Sequence, residues 1–219
     1  MFYSDNIKKV KDIISQNKVV PEVTLIGVTK TLSTEQTEQA IQSGLQHIGE
    51  NRLQIAEPKI MALANRYKVT WHFIGTIQKN KAKKIVQLFH VIHSVNSWDI
   101  LASLNNYAKE LNVKPDILLQ VNVSGEKSKQ GFSANEIRLT IRSVYDYSNV
   151  NFIGYMTMAP YTNDEDYLHS IFKQLKDLAE ELKESGINYQ HLSMGMSNDF
   201  IVALKDGATM VRLGTILFS

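Results

Sequence analysis

The sequence predicts a parallel α/β fold, a single (β/α)8 TIM barrel with one extra helix at its N-terminus. Three observations carry that expectation. Eight short apolar runs alternate with amphipathic segments. No Pro/Gly/Ser-rich linker or charge block divides the chain. The length, 219 residues, sits just above the ~200 at which barrels of this kind begin.

The apolar runs fall at residues 23–29, 47–50, 71–75, 91–95, 117–123, 152–158, 192–195 and 210–214. The fifth, ILLQVNV, is apolar on both faces, as a strand covered by helices must be. Between the runs, helical spacing recurs: Leu168, Ile171, Phe172, Leu175, Leu178, Ala179 and Leu182 share one face. Ser33 with Gln36, Ser133 with Glu136, and Thr162 with Glu165 have the spacing of capping boxes. Gly44, Gly186 and Gly207 stand where helices would stop. Residues 1–18 read as the extra helix. They are amphipathic, carry Asp5 and Asp12, and lack the apolar centre of a signal peptide. A doubly wound sheet uses the same alternation. Eight units in so short a chain, with no second domain, favour the barrel, and residues 1–219 read as one domain.

Composition narrows the function classes. Lys+Arg number 24 and Asp+Glu 22, a formal net charge of +2, which argues against a general polyanion binder, so no nucleic acid is expected as a partner. The basic stretch Lys79, Lys81, Lys83 and Lys84 has no interleaved aromatics and reads as the solvated face of a helix. The absence of cysteine excludes disulfides, zinc thiolates and a thiol nucleophile. No apolar run approaches the ~20 residues of a membrane span, so no membrane partner is expected. A cytoplasmic enzyme or small-molecule binder is the class that remains.

Barrel chemistry sits at the C-terminal ends of the strands. Lys30 directly follows the first run there. On position alone it reads as a surface lysine capping a strand. A lysine shielded from water gives up its proton more easily and can form a Schiff base with an aldehyde. The seventh run ends in Ser193, Met194, Gly195, Met196 and Ser197. Gly195 would allow close approach to the backbone, and Ser197 would cap a following helix whose free N–H groups face an anion. The eighth run ends in Arg212, Leu213, Gly214 and Thr215, where Gly214 and Thr215 add donors. Loops after strands 7 and 8 are the usual barrel phosphate site. One capped turn would mean little; two of them beside a lysine on strand 1 suit pyridoxal 5'-phosphate (PLP). Arg212 would then face the pyridine nitrogen, and as a pure donor keep it unprotonated. Pairing with a carboxylate inside the barrel is the alternative for Arg212. His47, His72, His93 and His191 read as hydrogen-bonded core residues, without the spacing of a metal site.

These residues carry a resemblance. The motifs GVTKT at Lys30, IGEN at Asn51, WHFIG at His72, QKNK at Lys79, SMGMS at Ser193 and MVRLGT at Arg212 occur in order along nearly the whole chain. In them the chain resembles the pyridoxal phosphate homeostasis proteins, single-domain relatives of the alanine racemase N-terminal barrel. The resemblance implies that Lys30 holds PLP as a Schiff base and that Asn51 lines the pocket. It places Ser193, Ser197, Gly214 and Thr215 at the phosphate, with Met194, Gly195 and Met196 in the same turn, and Arg212 at the ring nitrogen. It implies a role in intracellular PLP homeostasis rather than a metabolic reaction, with PLP-dependent apoenzymes as possible recipients. Leu32 stands where the family often has a lysine or a polar residue, and Thr76 where a proline is usual.

The expected function is therefore a non-catalytic, monomeric PLP carrier. Alanine racemase relatives add a β-domain that supplies an opposing tyrosine and a dimer interface, and the chain ends after strand 8. Three rivals remain. A weak racemase or other PLP enzyme would need an acid above the cofactor, for which Tyr155 and Tyr161 are the candidates. A barrel aldolase would use Lys30 on a sugar phosphate. A pure interaction protein would use the basic stretch.

Overall fold

A computed structural model describes residues 3–126 and 130–219. The elements, in chain order, are α1 (Ser4–Asn17), β1 (Thr24–Val28), α2 (Thr34–Gln42), β2 (His47–Glu50), α3 (Leu53–Leu63), β3 (Thr70–Phe73), α4 (Ala82–Leu88), β4 (Val91–Val95) and α5 (Trp98–Leu111). They continue with β5 (Asp116–Gln120), α6 (Ala134–Thr140), β6 (Asn151–Met156), α7 (Glu165–Glu184), β7 (His191–Ser193), α8 (Phe200–Lys205), β8 (Met210–Leu213) and α9 (Thr215–Phe218). The strands close in sequence order into one barrel, and every pairing is parallel. The doubly wound alternative is thereby excluded. Each of the eight apolar runs overlaps a strand; four begin one residue after it, and six run past its end into the loop. α1 is the extra helix; Met1 and Phe2, also assigned to it from sequence, lie outside the described residues.

Two cores follow from strand alternation. Between sheet and helices lies a large layer that includes Leu25, Ile48, Trp71, Tyr155, Leu192, Val211 and the seven α7 residues named above. Inside the barrel lies a small apolar set: Ile26, Val91, Leu118, Ile153, Met156 and Met210. Parallel register carries the inward direction from one strand to the next. Ile26 pairs with Arg212, Met156 with Ser193 and Ser193 with Met210, so Arg212 and Ser193 point inward too.

The caps are local. Ser33 and Gln36 form the expected reciprocal box on α2. Ser133 caps α6 by accepting from the N–H of Glu136. The third box is displaced: Asp164, not Thr162, caps α7 and accepts from the N–H of Tyr167. A carboxylate suits the positive end of a 20-residue helix, and Thr162 instead accepts from the N–H of Asp164. Gly44, Gly186 and Gly207 end α2, α7 and α8 at positive φ, as their positions suggest.

Candidate ligand site at the mouth of the barrel

A cavity of about 370 Å³ opens at the C-terminal ends of the strands, inside the ~300–1,000 Å³ range usual for small-molecule sites. It collects residues from several strand ends. Val28 and Lys30 come from β1, Asn51 from β2, Met196 to Asp199 from the loop after β7, and Arg212, Gly214 and Thr215 from β8. The loop after β6 closes one side with Met158, Pro160, Tyr161 and Thr162.

Lys30 is exposed at the rim, immediately after buried Thr29. The protein itself therefore does not desolvate it, contrary to the shielding its chemistry suggested. Thr29 is firmly held from beneath. Its hydroxyl donates to Oε1 of Glu50 at 2.6 Å, and its carbonyl accepts from Nζ of Lys59 at 2.6 Å. Lys59 and Glu50 form a buried ion pair, also at 2.6 Å.

Arg212 forms part of the cavity floor. Its Nη1 donates to Oγ of Ser193 at 2.5 Å and its Nη2 to the carbonyl of Thr157 at 2.9 Å. No carboxylate is hydrogen-bonded to it among the described residues. Burial pulls the guanidinium down to about 10, with Asp199 opposing, so it stays charged at neutral pH. Asp199 is raised above its ordinary value by burial, against the pull of the Met196 N–H and of Arg212. A guanidinium has five N–H donors, so some remain for a ligand.

The two turns differ in detail from expectation. Ser197 does not cap α8: the N-cap position is Asp199, without a side-chain cap, and its carboxylate instead accepts from the N–H of Met196 at 2.5 Å. The chain needs one more turn before the helix begins, which moves Ser197 beyond capping reach. Its Oγ accepts instead from the N–H of Gly214 at 3.3 Å, which ties the two turns together. The N–H groups of Ser197 and Asn198 find no acceptor among the described residues. Thr215 opens α9, so its N–H has no partner within the helix. Gly195 is required for backbone reasons: it has φ +93°, and a Cβ there would lie 2.8 Å from Cβ of Ala203. Ser193, Met194 and Gly195 are not in the cavity lining. Ser193 and Met194 are fully buried beneath it.

Asn51 lines the cavity with a buried Oδ1 that has no hydrogen-bond partner. A buried amide oxygen without a partner, on a residue that lines a cavity, is a place where a polar ligand would complete the bonding. Of the two tyrosines, Tyr155 points away from the mouth. It packs in the helix-facing layer against Phe152 and Tyr189, and burial raises its hydroxyl far above the ordinary range. Tyr161 lines the cavity but is 86% exposed. In the basic stretch, Lys79, Lys83 and Lys84 are ion-paired with Asp99, Glu110 and Glu57. Leu32 packs into the core.

Sequence reasoning gave Asn198 and Asp199 no role beyond opening the helix after β7, took Tyr161 only as a candidate acid, and missed Thr157 and Pro160. Asn198 and Asp199 were within reach, because they directly follow a turn already assigned to an anion. Nothing in the local pattern marks Thr157, which acts through its carbonyl.

With the geometry in place, three comparisons bear on ancestry. Residues 3–219 match the family described as alanine racemase, N-terminal domain. A pyridoxal phosphate homeostasis protein from Synechocystis is 41% identical, the match covering 90% of this chain and 91% of the relative. One from Aquifex aeolicus is 36% identical over 89% and 85%. Among solved structures, PipY of Synechococcus elongatus with PLP bound superposes with a TM-score of 0.91 at 32% identity, covering 99% of this chain and all of that one. An alanine racemase from Clostridium difficile shares the fold, with a TM-score of 0.79 at 17% identity over 59% of its length. This chain therefore belongs to the alanine racemase N-terminal domain family, among the pyridoxal phosphate homeostasis proteins.

Proposed function

We propose that this protein is a non-catalytic holder of PLP, which it binds through Lys30 and gives up reversibly as part of intracellular PLP homeostasis, with PLP-dependent apoenzymes as recipients. One observation carries the reading: a single cavity joins a free amine, a buried guanidinium and two linked turns with unpaired N–H groups. The names of the relatives, and the PLP bound to PipY, support it.

Bound PLP supplies an aldehyde that condenses reversibly with a primary amine, with loss of water. Lys30 presents that amine at the rim. Ser197, Asn198, Gly214 and Thr215 would hold the phosphate through backbone N–H groups and the Ser197 and Thr215 hydroxyls. Asn51 offers its unpaired amide. Arg212 would present only donors to the ring nitrogen, which would leave the ring a weak electron sink and restrain chemistry. Ser193 and Met194 act from beneath, Ser193 by holding Arg212, and Gly195 by shaping the turn.

The same site argues for holding rather than turnover. Racemisation requires acid–base groups on both faces of a substrate. Tyr155 faces the helices, and Tyr161 lies in water, without the burial that tunes a catalytic acid. We expect the purified protein to develop a visible absorption band with PLP and the Lys30→Ala variant to lose it. Addition of amino acids should give no racemisation or transamination at enzyme-like rates. Sustained turnover would overturn the carrier reading; a colourless protein that traps a sugar phosphate at Lys30 would replace it with an aldolase.

A further inference from the structure

The barrel interior holds a column of polar side chains that cofactor holding alone does not explain. Five inward residues on five strands are hydrogen-bonded in series. Arg212 on β8 donates to Oγ of Ser193 on β7 at 2.5 Å. That oxygen lies 2.9 Å from Nδ1 of His93 on β4. Nε2 of His93 lies 2.8 Å from Nδ1 of His72 on β3, and Nε2 of His72 lies 3.0 Å from Nδ1 of His47 on β2. His93, His72 and Ser193 are almost completely buried. His47 is half-buried and opens on a second cavity, about 330 Å³, lined by α1, β1 and the start of β2. The series therefore crosses the barrel from the floor of the mouth to its N-terminal face.

The donor inventory sets the direction of every bond in it. A guanidinium can only donate, so Ser193 must accept from Arg212. The remaining hydroxyl hydrogen of Ser193 has one acceptor within reach among the described residues, Nδ1 of His93. Neutral His93 then carries its hydrogen on Nε2 and donates to His72. His72 in turn donates from Nε2 to His47. Every bond in the series then has one donor and one acceptor, and every imidazole is neutral. Burial holds His72 and His93 well below the ordinary histidine value, in agreement with this arrangement.

We propose that this series is a positioning relay, in which Ser193 and His93 hold the guanidinium of Arg212 and His72 and His47 fix the direction of the bonds from the far face. It rests on the assignment of Arg212 to the PLP ring and deepens it. A proton added at Nδ1 of His47 would face the N–H of His72. The series must then reverse, His93 donates to Ser193, and the Ser193 hydroxyl hydrogen is left without an acceptor. Acid at the N-terminal face thus loosens Arg212 at the mouth. Lys11 and Lys18 line the cavity onto which His47 opens, and Arg212 acts on His93. His191 faces His47, His72 and His93; His90 faces His72; Asp116 acts on His90 and His191; Asp199 acts on Arg212.

Two measurements test the relay. In ligand-free protein above neutral pH, imidazole nitrogen NMR should show His47, His72 and His93 neutral with their hydrogens on Nε2. A hydrogen on Nδ1 of His93, or a charged His72 or His93, would overturn the proposal. In PLP-loaded protein, His93→Phe should shift the pH dependence of the visible band and weaken PLP binding roughly tenfold. His93→Asn, whose amide oxygen can stand where Nδ1 accepts, should restore both. Identical behaviour of the two variants and the parent protein would also overturn it. Should His93→Phe fail to fold, His47→Leu against His47→Asn makes the same comparison at the half-buried end. A parent protein that takes up no PLP would defeat the proposed function, while the nitrogen spectrum of the ligand-free protein still decides the relay.

Discussion

Arg212 and Ser197 show how much a single side chain decides in this site. Arg212 is a buried cation bonded to a hydroxyl and a carbonyl; Ser193 keeps a second bond to His93, but the Thr157 carbonyl has no other donor among the described residues. Arg212→Met keeps the length and removes the donors. Leaving buried acceptors unpaired costs about 1–3 kcal/mol, so urea unfolding should show a loss of that size, and PLP affinity should fall at least tenfold. Ser197→Ala removes one exposed-side hydroxyl bond to Gly214. It should weaken PLP binding by roughly fivefold and leave the unfolding midpoint nearly unchanged, an effect near ~1 kcal/mol. Lys30, Ser197, Gly214 and Thr215 line the cavity as their places at or just beyond the ends of apolar runs suggested; Arg212 lies within its run, and Asn51 was reached only through the family resemblance. Ser193 and Met194 were harder to place. One residue along a strand reverses the face, and sequence alone does not say where β7 leaves the sheet.

The α3–β2 contact is the element least expected from sequence. Lys59 lies on the buried face of α3 beside Leu53, Ala56, Ile60 and Leu63, where a lysine would ordinarily be assigned to solvent. It is there because Glu50 and the Thr29 carbonyl, both buried, supply its acceptors. The second carboxylate oxygen of Glu50 has no partner, so the pair has little reserve. Breaking a buried pair by removing one member costs about 3–5 kcal/mol. Lys59→Met should lose that much in urea unfolding, and Lys59→Met with Glu50→Gln should recover part of it. Since the pair anchors Thr29 next to Lys30, the single variant should also bind PLP more weakly. A neutral Lys59→Met would contradict this view of the contact. The caps show the opposite case. Ser33 and Ser133 were readable because capping is local, while the displacement from Thr162 to Asp164 depends on where the β6 loop lets α7 begin.

For the whole molecule, eight alternating runs specified the closed barrel, because alternation and length are global properties of the chain. The polar column inside it was not legible. His72 and His93 are hydrogen-bonded core residues as expected, while His47 and His191 are hydrogen-bonded but only half-buried; the connection of His47, His72 and His93 into one series requires the register of neighbouring strands. That column also makes the stability of the molecule depend on pH. The folded pKa of His72 and of His93 lies well below 6.5, their ordinary value. Below that pH the unfolded chain binds protons that the folded one refuses. Stability is therefore fullest above pH 6.5 and falls on acidification, by up to ~1.4 kcal/mol per pH unit for each histidine still neutral. Urea unfolding between about pH 7 and about pH 5 should show the decline, whereas a flat or rising profile would contradict the buried neutral column.

The reading as a PLP holder turns on where PLP attaches. Intact mass after borohydride reduction of the PLP-loaded protein, followed by peptide mapping, measures this directly. One PLP adduct per chain, on the peptide containing Lys30, is the predicted result. An adduct on any other lysine, or none at all, would contradict it.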